Sequence, residues 1–350
     1  MLDIRRGSQQ GENFFKAAIK NCGRTKEWST ALQLFCEVSR LRSAVSPGCY
    51  VAAVGACGKG KQWQQSLALL SEMWEATLKP DVISCSAGIS ACEKGEQWPQ
   101  ALALIGDMWE AQLKPDVICC NAGISACEKG EQWQRALSLL SEMWEARLEP
   151  DVISYSAGIS ACEKGRQWQR ALTLLSEIWE AKLEPNVFSF NALISACEKS
   201  EEWQRALALL RRMCEARLEP DVIFSFNAGI SACEKGEQWQ QALALLGEMW
   251  EAKLKPDLIG YSAGISACTS GEQWQRALAL LGEMREVKLE LDMMSYSAGI
   301  SACEKGEQWQ RALALLGEMC EAKLEPDVFS TALGSARAGM ASSGSGLWRC

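Results

Sequence analysis

Tryptophan recurs along this chain at a fixed interval, and that interval limits the fold more than any other feature. Trp28, Trp63, Trp98, Trp133, Trp168, Trp203, Trp239, Trp274 and Trp309 stand 35 residues apart, with a single step of 36. Cysteine keeps the same period at Cys22, Cys57, Cys92, Cys127, Cys162, Cys197, Cys233, Cys268 and Cys303. A unit this short cannot bury its own apolar surface, so copies must stack to build a continuous core. The unit is typified by residues 117–151, VICCNAGISACEKGEQWQRALSLLSEMWEARLEPD. Nine repeats are predicted at 12–46, 47–81, 82–116, 117–151, 152–186, 187–222, 223–257, 258–292 and 293–327. Residues 1–11 form a short lead, and 328–350 a broken tenth repeat running into a flexible SSGSG tail.

Each repeat reads as two helices. Cys120, Gly123, Ile124 and Cys127 sit at i, i+3, i+4 and i+7, an apolar stripe on one helical face. Lys129-Gly130 is predicted to stop this helix, with Gly130 in the left-handed conformation. Trp133, Ala136, Leu137, Leu140, Met143 and Trp144 repeat the helical spacing, and Glu149-Pro150-Asp151 is predicted to break the second helix. The predicted fold class is all-α, an α-solenoid of stacked helix-turn-helix repeats.

Composition removes several functions. The chain has no histidine, which excludes Ser-His-Asp triads, Cys-His dyads and His-ligated zinc. No apolar run approaches the roughly 20 residues that span a bilayer. The formal charge is −8, from 44 acidic and 36 basic residues, which argues against a strongly basic nucleic-acid binder. The 17 cysteines follow no secretory signal and read as buried thiols of a reducing compartment rather than disulfides or metal ligands. No cofactor and no catalytic group is expected.

A helical hairpin of 35 residues ending in Leu-x-Pro-Asp, with Ala-Leu-x-Leu-Leu-x-x-Met in its second helix, resembles the pentatricopeptide repeat. The likeness spans residues 12–327, and the near-uniform repeat length resembles the pure class of that family. It implies a right-handed solenoid that binds single-stranded RNA, one base per repeat, in organellar RNA processing, stability or translation. The chloroplast or mitochondrion is the implied location, although MLDIRRGSQQG is short for a transit peptide. The chain departs from the family at Gly88, Gly123, Gly158, Gly229, Gly264 and Gly299, where leucine is usual. These glycines are expected to leave room for the tryptophan of the second helix.

In the type repeat Ile118, Asn121, Ser125 and Glu128 form a second stripe beside the core stripe, with Lys129 next to it. Short polar side chains on such a face leave space for a flat ligand, and helical repeats of this kind read each base with two or three side chains. A solvated inner face or a peptide groove fits the same stripe. By the family's rule the fifth residue of a repeat and its last choose the base. The pairs Ser86–Asp116, Asn121–Asp151, Ser156–Asn186, Asn191–Asp221, Asn227–Asp257, Ser262–Asp292 and Ser297–Asp327 then imply the target 5′-GUAUUGG-3′. The second residue, which the resemblance makes a base-stacking wedge, is Ile83, Ile118, Ile153, Phe188, Phe224, Ile259 or Met294. A core position at the hairpin junction is the other reading of these residues. Phosphate contacts are expected from Lys94, Lys129, Lys164, Lys199, Lys235 and Lys305, each preceded by a glutamate. A protein-interaction scaffold remains the alternative function, supported by the acidic charge and by the patchier series Trp74, Trp109, Trp144, Trp179 and Trp250. A third reading is a fragment of a longer protein or a product of repeat expansion.

Overall fold

The computed structural model describes residues 14–25, 27–41, 45–76, 78, 80–216, 222–322 and 324. Among these there are eighteen helices and no strand. The chain divides into two compact halves, Met1–Ser189 and Phe190–Cys350. In the first half the helices are 14–24, Trp28–Leu41, Pro47–Lys59, Trp63–Glu75, Val82–Lys94, Trp98–Glu110, Val117–Lys129, Trp133–Glu145, Val152–Lys164 and Trp168–Glu180. The division falls inside Val187–Lys199, and the second half continues with Trp203–Glu215, Val222–Lys235, Trp239–Glu251, Leu258–Ser270, Trp274–Glu286, Met293–Lys305 and Trp309–Glu321. The fold is an all-α solenoid of helical repeats. Within each half first helices such as Val117–Lys129 and Leu258–Ser270 pack on their own second helix and on neighbouring first helices, and second helices such as Trp133–Glu145 and Trp239–Glu251 also touch the first helix that follows. Val222–Lys235 is one residue longer than its counterparts and absorbs the extra residue of the 36-residue step at its start.

The core follows the predicted first-helix stripe, but on the second helix Trp133 and Leu137 are only half-buried, Trp144 is exposed, and Leu139, outside the predicted stripe, is buried instead. Cys120, Ile124 and Cys127 are buried from the first helix, and Ala136, Leu139, Leu140 and Met143 from the second. Each fully buried Ile, Leu or Met contributes about 1.5–3 kcal/mol in this geometry. Burial pushes the Cys127 thiol up to about 11 and Cys162 to about 12, so these groups stay protonated and inert.

Three local expectations are corrected. Gly130 is not left-handed; its φ is −85°, and the next residue, Glu131, takes φ 57°. Arg166, Glu237, Glu272 and Glu307 do the same after their glycines. Gly130 fits its place for a different reason. A Cβ there would lie 2.2 Å from Cδ1 of Trp98, the tryptophan of the preceding repeat, and Gly165 meets Trp133 in the same way at 2.3 Å. The first-helix glycines, in contrast, do not make room for tryptophan. A Cβ on Gly123 would meet Ile105 Cδ1 at 2.5 Å and Leu139 Cδ2 at 2.8 Å, so the space is filled by aliphatic side chains of flanking second helices. The second helix also ends earlier than its proline. Trp133–Glu145 stops at Ala146, and Arg147 turns the chain at φ 57° while Leu148 N–H donates to Met143 O at 2.9 Å. Pro150 follows as a buried residue of the connection.

Candidate nucleic-acid interface

From Asp81 on, the last residue of each repeat whose end is described caps the next helix, whereas Ser46 makes no side-chain cap. Asp151 Oδ1 accepts the Ser154 backbone N–H at 2.9 Å, and the Ser154 hydroxyl accepts the Asp151 N–H at 3.1 Å, a reciprocal capping box. Asp81, Asp116, Asn186, Asp257 and Asp292 accept the equivalent N–H from Ser84, Cys119, Ser189, Gly260 and Ser295. Burial works to raise the Asp151 pKa, but the Ser154 N–H and the side chains of Asn121 and Ser154 outweigh it and hold the carboxyl below its ordinary value.

The same cap reaches the fifth residue of the preceding repeat. Asn121 Nδ2 donates to Asp151 Oδ1 at 3.1 Å, and Asn227 Nδ2 donates to Asp257 Oδ1 at 2.9 Å. The Ser156 hydroxyl lies 3.4 Å from Asn186 Oδ1 and 2.7 Å from the Ser189 hydroxyl. In two other pairs the third residue of the next repeat stands between. Ser262 meets the Ser295 hydroxyl at 3.0 Å, which in turn donates to Asp292 at 2.7 Å. Ser86 meets the Cys119 thiol, which faces Asp116. Asn191 accepts from the Ser225 hydroxyl. Asp221 and Asp327, together with the lead and the broken tenth repeat, lie outside the described residues, and Ser297 holds its fifth position in the helix Met293–Lys305.

The second residues are not core. Ile118 is 65% exposed and Phe188 71%; Ile83, Ile153, Phe224, Ile259 and Met294 are exposed with them. Each stands one helical turn before the fifth residue, on the polar side of a helix whose opposite side is buried. An exposed large apolar side chain thus flanks every hydrogen-bonded reading position.

Three of the predicted lysines are occupied. Lys129 Nζ lies 2.8 Å from Glu93, Lys164 3.4 Å from Glu128 and Lys235 3.0 Å from Glu198. Each bridge joins a first helix to the glutamate of the preceding repeat rather than to the glutamate beside it. Lys94, Lys199 and Lys305 hold the equivalent position at the end of their helices. On the second helices Trp74, Trp109, Trp144, Trp179 and Trp250 are 39–50% exposed. Shallow grooves of about 340 and 180 Å³ lie between successive second helices, one walled by Leu137, Trp144 and Glu177, the other by Leu207, Cys214 and Glu248.

Sequence reasoning missed two roles here: the capping by the last residue and the contact made by the third. The Asp-x-x-Ser spacing of Asp151 and Ser154 carried the first signal, since it matches a helix-start pattern. The second joins residues 33 apart and needs the stacked geometry.

Comparison with known families decides the relationship. Residues 103–165, 138–200, 173–236 and 244–305 match the pentatricopeptide repeat domain, and 224–254 and 294–324 match the PPR repeat. The chain belongs to the pentatricopeptide repeat family. No curated protein matches it. Among solved structures, PPR10 from maize aligns at a TM-score of 0.58 and 22% identity, over 94% of this chain and 53% of that one. PPR10 in complex with an 18-nucleotide psaJ RNA element aligns at 0.48 and 20%, over 95% and 53%. The PPR domain of Arabidopsis thaliana protein-only RNase P 1 in complex with tRNA aligns at 0.46 and 14%, over 55% and 98%. The first of these PPR structures bears on the fold, and this chain spans about half the length of PPR10. Among the described residues of this PPR chain, no helix is long and apolar enough to cross a membrane.

Proposed function

We propose that this PPR chain is a sequence-selective adapter for single-stranded RNA, reading one base per repeat, in organellar RNA processing, stability or translation. The observation that carries this reading is the exposed row from Ile83 to Met294, one apolar or aromatic side chain beside each polar reading position. Seven large apolar groups left in water at a fixed period serve no packing purpose. They suit the faces of successive bases, which stack on such groups whatever their sequence. The polar fifth and last residues then meet the base edges, with 5′-GUAUUGG-3′ as the target. The chain itself performs no chemistry; it positions RNA. The half-exposed Trp144 series, set among Glu142, Glu145 and Glu177, supports protein contacts on the other side of the repeats as a second, compatible role.

Replacing Phe224 by alanine tests the reading, because its ring is exposed and removing it leaves the core intact. Stacking of about 1–3 kcal/mol per base predicts RNA affinity roughly 5- to 150-fold lower, with an unchanged melting temperature. Unchanged affinity in a protein that does bind the target would contradict the wedge role.

A further inference from the structure

The third residue of a repeat has no assigned part in base reading, yet in the structure it touches the fifth residue of the repeat before it. Ser154 Oγ donates to Asn121 Oδ1 at 2.6 Å. With Nδ2 donating to Asp151, both ends of the Asn121 amide are held. Its carbonyl is engaged and fixed by serine, and the amide also carries a remaining N–H, a donor. Ser225 on Asn191, Ser189 on Ser156 and Ser295 on Ser262 make the equivalent contact. One repeat breaks the pattern. Gly260 occupies the third position opposite Asn227, and Asn227 Oδ1 is buried with no hydrogen-bond partner although the residue is only 5% exposed. The glycine also permits the present position of that amide, since a Cβ there would come within 2.6 Å of Asn227 Oδ1.

A buried carbonyl without a partner is a strong acceptor in search of a donor. The amide of Asn121, its carbonyl already satisfied and fixed by serine, favours donation from its free N–H, which matches the O4 acceptor of uracil better than the amino group of cytosine. The amide of Asn227 lowers its energy by turning its carbonyl to any donor, and the cytosine amino group supplies one. We propose that the third residue of each following repeat is a positioning residue for base choice: Ser154 restricts Asn121 to U, whereas Gly260 leaves Asn227 tolerant of C. The proposal rests on the RNA reading above and adds a specificity term to it.

The test is equilibrium binding of the full chain to 5′-GUAUUGG-3′, to 5′-GCAUUGG-3′ and to 5′-GUAUCGG-3′, with a scrambled RNA as reference. In the unsubstituted protein the preference for U over C at the second nucleotide should exceed that at the fifth by about fivefold, the worth of one net hydrogen bond. Ser154→Gly should lower the preference at the second nucleotide and leave the fifth alone. Gly260→Ser should raise it at the fifth, once Asn227 shifts to accept the new hydroxyl. If Gly260→Ser fails to fold, as judged by helicity and melting, the unsubstituted protein and Ser154→Gly still decide the matter. Equal U-over-C preference at both nucleotides, unmoved by substitution, overturns the proposal while leaving RNA reading intact. Equal binding of target and scrambled RNA by the unsubstituted protein overturns the RNA reading and the proposal with it.

Discussion

Glycine at the end of most first helices abuts a tryptophan from the repeat before, and only the helix Val187–Lys199 among the repeats from Pro47 on has serine, Ser200, at that place. A side chain on Gly130 would meet the Trp98 ring at 2.2 Å, so the ring or the backbone has to shift, as the repeat with Ser200 must accommodate. The adjacent Glu131 pays the conformational cost, since a non-glycine residue at φ 57° is strained by about 1 kcal/mol. The two neighbours therefore respond in opposite directions. Gly130→Ala should lower the melting temperature although it adds helix propensity, and Glu131→Gly should raise it by relieving the left-handed strain. Thermal unfolding followed by circular dichroism reads both. A stabilising Gly130→Ala would show that Trp98 is free to move aside. The sequence led to the glycine but not to its purpose, because glycine is the usual left-handed residue and the tryptophan belongs to another repeat.

At the level of the helix, the period made the elements legible. Stripes such as Cys120–Ile124–Cys127 and Ala136–Leu140–Met143 mark the buried faces directly, and these residues are buried in the structure. The ends were less legible. Pro150 marks the connection, but the helix has already stopped at Glu145 through backbone geometry centred on Arg147. The candidate site was half legible: residue types and spacing picked out Asn121 and Ile118, whereas the exposure of Ile118 and the hold of Ser154 on Asn121 depend on stacking. Capping also links stability to pH. Asp81 and Asp151 have folded-state pKa values below the ordinary carboxylate value, so the unfolded chain binds protons more readily. Their contribution is present in full above the unfolded value of about 3.9 and is lost as pH falls through the lower folded value. Asp151→Ala should destabilise the protein by about 1 kcal/mol at neutral pH and by progressively less in acid. Asp151→Asn should keep most of the cap, as Asn186 does naturally, and flatten the acid dependence. A loss from Asp151→Ala that is the same at pH 7 and pH 3 would contradict the capping account.

For the whole molecule, charge and recognition pull against each other. The chain carries −8, and Lys129, Lys164 and Lys235 already bridge to glutamates of neighbouring repeats. Such exposed pairs are worth about 0–1 kcal/mol each, so a phosphate can displace the glutamate, but each displacement returns a negative charge to the groove. Backbone attraction is therefore weak, and affinity must come from stacking on the exposed apolar row and from base edges meeting the fifth and last residues. Binding of that kind depends on sequence and falls only gently with salt, unlike binding driven by counterion release. The decisive measurement is fluorescence anisotropy of 5′-GUAUUGG-3′ against a scrambled RNA of equal composition, at low and at physiological salt. Tighter binding to the target at both salt concentrations is the expected result. Equal binding to the two RNAs that disappears at physiological salt, or no binding by the folded helical protein, would contradict it.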